Sequence, residues 1–559
     1  MTTGTRSPRR TAPSATAGGS ELAGTPRLLR LAARRDRFLL PIWVVALGLV
    51  VLASVASIAG LYGTEAERVQ YAVAVAPSVI ARAFEGPIFG TSLGAILVTE
   101  TFGMLSVLVG IMSVQAVVRH TRLEEETGRA ELVGAAVVGR HAPLTAALLL
   151  AFGASLAVGA VTVVVLLAYG LPAGGALLAG LLLMGVGWGF AGVAAITAQV
   201  AGSARGANGL AGAAIGLAYF LRAVGDALGE VAPSGVAVTS AWPSWLSPIG
   251  WGQQGQAFAG DRWWVLGLFA AAVVTTVALA FTLTRHRDVG SGMRPVGAGP
   301  ASASAALRSP LGLAWRLQRG SVLGWSAGLV LAAGAFGAIG EEVDAFLETS
   351  EELVDLFAQL GDSEELVDLF IVFLMALLAV AVGAFAVQGV LRLRGEEVSG
   401  RAEPLLATAV ARPRWIASHL TVVALASLGM LLAAGLAGGT AYGLATGEWG
   451  SRFGDWVVAA VVALPAVLAL GALAAAAVGL LPRRSVAIGW GAVGVSLVLG
   501  QLGALLDLPQ WVLNVSPFTH VPAVPSEELR WLPLLVLLAA AAGLSAAGLV
   551  AFRRRDLRA

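Results

Sequence analysis

Residues 124–131 read E-E-E-T-G-R-A-E, and residues 396–403 read E-E-V-S-G-R-A-E. The second stretch follows the first by 272 positions, and the same offset joins Arg122 to Arg394 and Arg140 to Arg412. Working outward, Arg37 and Trp43 correspond to Arg319 and Trp325, and Thr25-Pro26 corresponds to Ser309-Pro310. Downstream, Ser247-Pro248 corresponds to Ser516-Pro517, Arg262-Trp263 to Arg530-Trp531, and Asp226 to Asp507. Polar landmarks that keep their order at offsets of 268 to 284 are not chance matches among Ala- and Gly-rich runs. The chain reads as a tandem duplication.

Around these landmarks the sequence is apolar. Of 559 residues, 57% are apolar and 13% charged, about half the charge of an average soluble protein. That composition excludes a soluble enzyme, a disordered chain and a fibre, and it points to an all-α polytopic membrane protein. Runs of about 20 apolar residues predict twelve spans. They fall near 38–60, 93–118, 142–169, 174–201, 206–228 and 263–285, then near 320–340, 368–391, 415–445, 455–481, 485–506 and 531–552. Strand alternation is missing, which argues against a barrel.

Arginine sets the expected orientation. Basic groups precede span 1, lie between spans 2 and 3, fill residues 285–319, sit at Arg483 and Arg484, and end the chain at Arg553–Arg558. With twelve spans all of them fall on one side, which is read as cytoplasmic, with both termini there and the protein in a bacterial plasma membrane. Residues 341–368, on the other side, hold eleven acidic residues and no basic one. The expected organisation is a disordered tail (1–24), a six-span repeat (25–287), a linker (288–307) and a second six-span repeat in parallel orientation (308–559).

Two residue types are missing: cysteine, and lysine, since all 36 basic residues are arginine. Thiolate chemistry is excluded, and so is a Walker A loop, which needs a lysine for the β- and γ-phosphates. ATP, if it is used, must be hydrolysed on another chain. The five histidines (His120, His141, His286, His419, His520) lack metal-ligand spacing, and the basic clusters carry no interleaved aromatics for nucleic acid. Neither a catalytic residue nor a metal site is expected.

The acidic Gly-Arg segments are the strongest functional candidates. Thr127 is the expected helix N-cap, with Glu131 in the first turn. Leu132–Val138 forms the apolar run, and Pro143 or Pro413 ends the element. A lipid-surface helix should be basic, whereas Glu124, Glu125, Glu126 and Glu131 would be repelled by acidic lipid, so protein docking is the better reading. Pro26–Arg37 and Pro310–Arg319 read as lead-in helices lying in the interface. Inside the spans, Arg222 and Asp226 are four apart and can pair. Glu100 lies 19 residues before Arg119, about 28 Å along a helix, near the outer boundary. Arg222, Asp226, Asp507 and Glu100 are candidate gate or pathway residues. The outer repeats Ser350–Phe357 and Ser363–Phe370 read as capped amphipathic helices, and the Trp-rich loops 230–262 and 507–530 as short re-entrant pieces.

The six-span unit, the lead-in segment, the E-E-x-[ST]-G-R-x-E stretch after the second span and the Ser-Pro loop before the sixth resemble type-2 ABC exporter permeases. The double-length form is similar to the actinobacterial branch associated with tetronasin and other polyketide antibiotics. The resemblance implies a permease working with a separate ABC ATPase, two copies of it, which would hold ATP and Mg. The acidic stretches would then be coupling helices: Glu124, Glu125, Gly128, Arg129 and Glu131 in one, and Glu396, Glu397, Gly400, Arg401 and Glu403 in the other. Val398 replaces Glu126 and Pro404 replaces Leu132, so unequal docking is expected. The cargo would be an apolar or amphipathic drug, or alternatively a lipid or cell-envelope precursor. A proton-coupled secondary transporter with two parallel halves is the rival class.

Overall fold

The computed structural model describes residues 21–288, 290–293, 301–338, 366–447, 449–502 and 508–556. Two compact units make up the chain, Met1–Ala298 and Gly299–Ala559. Both are helical. Among the described residues eleven helices are long and apolar enough to cross a membrane, and a twelfth apolar helix, Ser485–Leu502, is the shortest at 18 residues, about 27 Å. The protein is an all-α polytopic membrane protein; a two-stranded hairpin pairs Glu230 with Thr239 and Val231 with Val238.

In the first unit the six spans are Leu39–Leu61, Leu93–Arg119, Ala142–Ala168, Ala173–Val200, Ala204–Ala227 and Val265–Arg285. Span 4 is central and packs on spans 2, 3, 5 and 6. Glycine makes the closest approach possible: a Cβ on Gly159 would lie 2.6 Å from the Gly180 carbonyl oxygen, so spans 3 and 4 meet backbone to backbone. Spans 1 and 6 are the least buried of the six.

The second unit has spans Pro310–Gly337, Leu366–Val398, Arg412–Thr446, Ser451–Leu480, Ser485–Leu502 and Trp531–Arg554. Span 10 is interrupted at Ala463, one turn of helix ending at Val462 and the next starting at Leu464. Pro465 explains the break, because it has no N–H for the preceding turn and its ring crowds the carbonyl four residues back.

The lead-in segments differ. Thr25–Arg35 is a separate helix, ended by Asp36, whose carboxylate turns inward to His120 Nε2 at 2.6 Å and Arg119 Nε at 3.2 Å. In the second unit Pro310–Gly337 runs as one helix, so no separate helix stands over Pro310–Arg319. Gln318 occupies the place that Asp36 holds. It tolerates a helix interior and reaches His419 Nδ1 at 3.2 Å without leaving the helix. The acidic repeats over 341–365 and residue Asp507 lie outside the described residues.

Candidate functional site

The acidic Gly-Arg segment of the first unit is two short helices, Arg122–Glu126 and Arg129–Gly134, joined through Gly128. Gly128 has φ 72°, the left-handed region that glycine enters without a Cβ clash. Thr127 does not cap the second helix. Its hydroxyl donates backward to the Leu123 and Glu124 carbonyls at 2.9 and 3.3 Å and closes the first helix, and Gly128 takes the N-cap position. The apolar run keeps its helix only to Gly134, and Pro143 opens span 3 rather than ending the element.

Glu125 is the hub. It accepts from Arg122 Nη1 at 2.8 Å, from Arg287 Nη1 at 2.7 Å and Nη2, and from the Gly290 amide at 3.3 Å. Arg122, almost wholly buried, also donates to the carbonyls of Gly202 and Ser291 at 2.7 and 2.9 Å. Arg140 donates to the carbonyls of Thr284, Arg285 and Arg287, the unpaired acceptors at the end of span 6. Glu124 pairs with Arg35 of the lead-in helix at 2.8 Å and with Arg129 at 3.5 Å. Glu126 accepts from the Ala204 amide at 2.8 Å, at the start of span 5. The segment is thus tied to the lead-in helix and to spans 5 and 6.

The second unit repeats the central part. Glu397 pairs with Arg394 at 3.0 Å and accepts from Arg555 at 2.6 and 2.8 Å; Arg412 donates to the Arg555 carbonyl at 2.8 Å. These residues stand 272 positions after Arg122, Glu125 and Arg140, and 268 after Arg287. Gly400 has φ 71°, and Ser399 donates to the Gly395 carbonyl at 2.8 Å as Thr127 does to Leu123. The helix beyond it is Ala402–Leu406. The outer ties differ. Glu396 pairs with Arg401 and with Arg392 of its own helix, at 3.2 and 3.6 Å, and exposed Val398 has no carboxylate for a helix start.

The sequence-predicted residues therefore divide by role. Glu124, Glu125, Glu396 and Glu397 face inward and are held by arginines. Glu131 is exposed in the first unit, as are Leu132 and Val137 of the same segment at 78% and 89%, and Arg401 and Glu403 are exposed in the second; Arg129, 55% exposed, also reaches back to Glu124. Sequence reasoning missed Arg287 and Arg555 as members of the site, having counted them only as topology signals. Their common offset was the available clue.

Three of the four candidate pathway residues, Arg222, Asp226 and Glu100, lie in the first unit, away from this segment. Arg222 and Asp226, both fully buried, form an ion pair at 3.5 Å. Ser244 donates to Asp226 at 3.0 Å, and Arg222 donates to the Ala83 and Phe84 carbonyls at 2.7 and 3.1 Å. Arg222 also stacks 4.4 Å from the Tyr219 ring centre. This arrangement fastens the re-entrant piece Pro248–Gln254, its preceding turn and residues 79–84 to span 5. Glu100 belongs to a different group, with Glu85, Tyr71 and Tyr62. Tyr71 donates to Glu85 at 3.1 Å. Burial pushes the Glu85 carboxyl above its usual range. Burial, then the carboxylates of Glu100 and Glu85, push Tyr62 up to about 12.

The family model for the C-terminal domain of the multidrug efflux system permease Rv1217c matches residues 307–553. The chain is also similar to the multidrug efflux system permease protein Rv1217c of Mycobacterium tuberculosis, 41% identical over 542 residues that cover 97% of this chain and 96% of that protein.

Proposed function

The chain belongs to the family of the multidrug efflux system permease Rv1217c, and on that premise we propose that it is the permease of an ATP-driven exporter whose ATPase is a separate chain. The permease role follows from the family. The ATP-driven step rests on the resemblance to type-2 ABC permeases and on the missing lysine, which leaves this chain no phosphate-binding loop of the Walker type. ATP and Mg would be held by the partner, in two copies, one for each acidic Gly-Arg segment. The arginine-rich side is taken as cytoplasmic in the plasma membrane.

The observation that carries this reading is the Arg–Glu–Arg clamp present in both units. Exposed Glu131 and Leu132 in one segment, and exposed Arg401, Glu403 and Pro404 in the other, each offer a mixed charged and apolar surface to a protein. Inward-facing Glu125 and Glu397 grip the last span of each unit. A push on the outer face is thus passed to spans 2 and 6, or 8 and 12, through charge-assisted hydrogen bonds. Coupling also requires that cargo and ATPase favour different states of the bundle. Abundant lipid-facing Ala, Gly and Leu suits an apolar or amphipathic cargo, of which polyketide antibiotics are the finer expectation and a lipid precursor the alternative.

A proton-coupled transporter is the second reading, and the buried Glu85, Glu100 and Tyr71 group is what favours it. Co-purification with candidate ATPases, followed by ATPase and transport assays in nanodiscs and vesicles, separates the two. Transport that follows ATP and ignores a proton gradient supports the first reading. Transport that needs the gradient and no ATPase overturns it.

A further inference from the structure

A cavity of about 480 Å³ lies inside the first unit, behind the acidic Gly-Arg segment. That is within the range of small-molecule sites, roughly 300–1,000 Å³. Leu28 and Leu31 of the lead-in helix line it together with Val133 and Leu144. The lining also carries charge: Arg35, Arg129, Arg140 and Arg287 with Glu124, Glu125 and Asp288. A lining that is part apolar and part charged suits an amphiphile, with an apolar body and a polar head.

The sign of the head follows from which charges are already used. Glu125 is saturated by Arg122 and Arg287, and Glu124 takes its closest contact from Arg35 at 2.8 Å. Arg129 keeps most of its donors free: its one contact is at 3.5 Å and its side chain is 55% exposed. Arg140 donates through Nε and Nη2 to span-end carbonyls, and Nη1 makes no hydrogen bond among the described residues. The unspent capacity in the charged lining is therefore cationic donors. Of the three acidic lining residues, Glu124 and Glu125 are neutralised by arginines, which leaves Asp288 as one carboxylate among four arginines.

We propose that this cavity binds one acidic amphiphile, its hydrocarbon between Leu28, Leu31, Val133 and Leu144 and its anionic head against Arg129 and Arg140. Two sources share that chemistry, an anionic phospholipid and a free fatty acid. The occupant would sit between the lead-in helix and the Arg129–Gly134 helix, where it sets their separation. The inference does not depend on the ATP-driven reading, since it is tested on the permease alone.

The test is native mass spectrometry of the full chain in detergent with dioleoyl phosphatidylglycerol, oleate, and dioleoyl phosphatidylcholine as the neutral control. One acidic molecule per chain should be retained with roughly thirtyfold preference over the control, as two arginines at a membrane surface would give. Retention of phosphatidylglycerol alone identifies the phospholipid source, and of oleate alone the free acid. The double change Arg129→Gln and Arg140→Gln should abolish the preference, and Leu31→Trp, which fills the cavity, should abolish retention. If Leu31→Trp fails to elute as a folded monomer, Val133→Trp replaces it. Equal retention of acidic and neutral probes, or survival of the preference in either the charge or the cavity variant, overturns the proposal.

Discussion

Glu397 receives both terminal nitrogens of Arg555, at 2.6 and 2.8 Å, across 158 residues of chain. Glu125 and Arg287 make the same contact in the other unit across 162 residues. Glu125 stands on the short helix after the second span of its unit and Glu397 on the last turn of the corresponding span, and both arginines stand just past the end of the sixth.

Removing Arg555 leaves the buried Glu397 carboxylate with Arg394 as its remaining ion-pair partner. Arg555→Gln should therefore destabilise by about 1.5–3 kcal/mol, the worth of hydrogen bonds to a charged group. Thermal unfolding reads the loss. The swapped pair Glu397→Arg with Arg555→Glu should recover part of it. If the single change leaves the melting temperature unaltered, the clamp does not hold the unit together.

The outer face predicts the opposite pattern. Glu131→Arg and Leu132→Asp change exposed side chains, so stability should move by no more than about 0.5 kcal/mol. Co-purification of the ATPase should fall sharply. Retained binding with both changes, and with Glu403→Arg in the second segment, would show that the partner docks elsewhere.

Gly128 and Gly400 hold left-handed turns with open space around them. Alanine there meets no neighbour and pays only for backbone conformation, about 1–2 kcal/mol. Both variants should fold, melt slightly lower, and show weakened coupling of ATP hydrolysis to transport. A larger loss of stability than that range would mean the turns are packed against something else.

Arg222 and Asp226 separate a fastening role from a gating one. Arg222→Met should cost about 3–5 kcal/mol, because Asp226 is left buried without its partner. The double change Arg222→Met with Asp226→Leu should cost less than the single one. Wild-type stability with lost transport in the single variant would instead identify a gate.

The outer acidic group carries a pH signature. The Glu85 carboxyl is raised in the folded state by burial, so the folded protein holds its proton to higher pH than the unfolded chain does. Stability is thus full below the ordinary carboxylate range, about 4.3, and declines as pH rises from there to the raised value. Melting curves across that window should show the decline, and Glu85→Gln should flatten it. A slope unaffected by the substitution would assign the effect to another group.

Spans, orientation signal and the acidic Gly-Arg repeat were all legible in the amino-acid sequence. A membrane helix must satisfy its backbone internally over a fixed thickness, so each apolar run declares itself locally. A repeated polar string at a constant offset is likewise a property of one dimension. Helix ends were legible only in part: Thr127 looked like an N-cap, but the left-handed turn at Gly128 moved the cap one residue on, and local hydroxyl bonding to Leu123 won. Similarly, Arg37 and Arg319 predicted equivalent lead-in helices, while only Asp36 has a buried histidine and arginine drawing it out of the helix.

What the tertiary structure alone decided is where the acidic residues of the segment point. Sequence shows Glu124, Glu125, Glu396 and Glu397 as a charged surface offered to a partner. Packing turns Glu124, Glu125 and Glu397 inward, because Arg35, Arg287 and Arg555 arrive from elements far along the chain, while Glu396 is held by its neighbours Arg392 and Arg401. A carboxylate's partner is set by which cation reaches within a few ångströms, and the ion pairs that count are those withdrawn from water. Such proximity is fixed by how six helices pack, and no spacing within the segment encodes it.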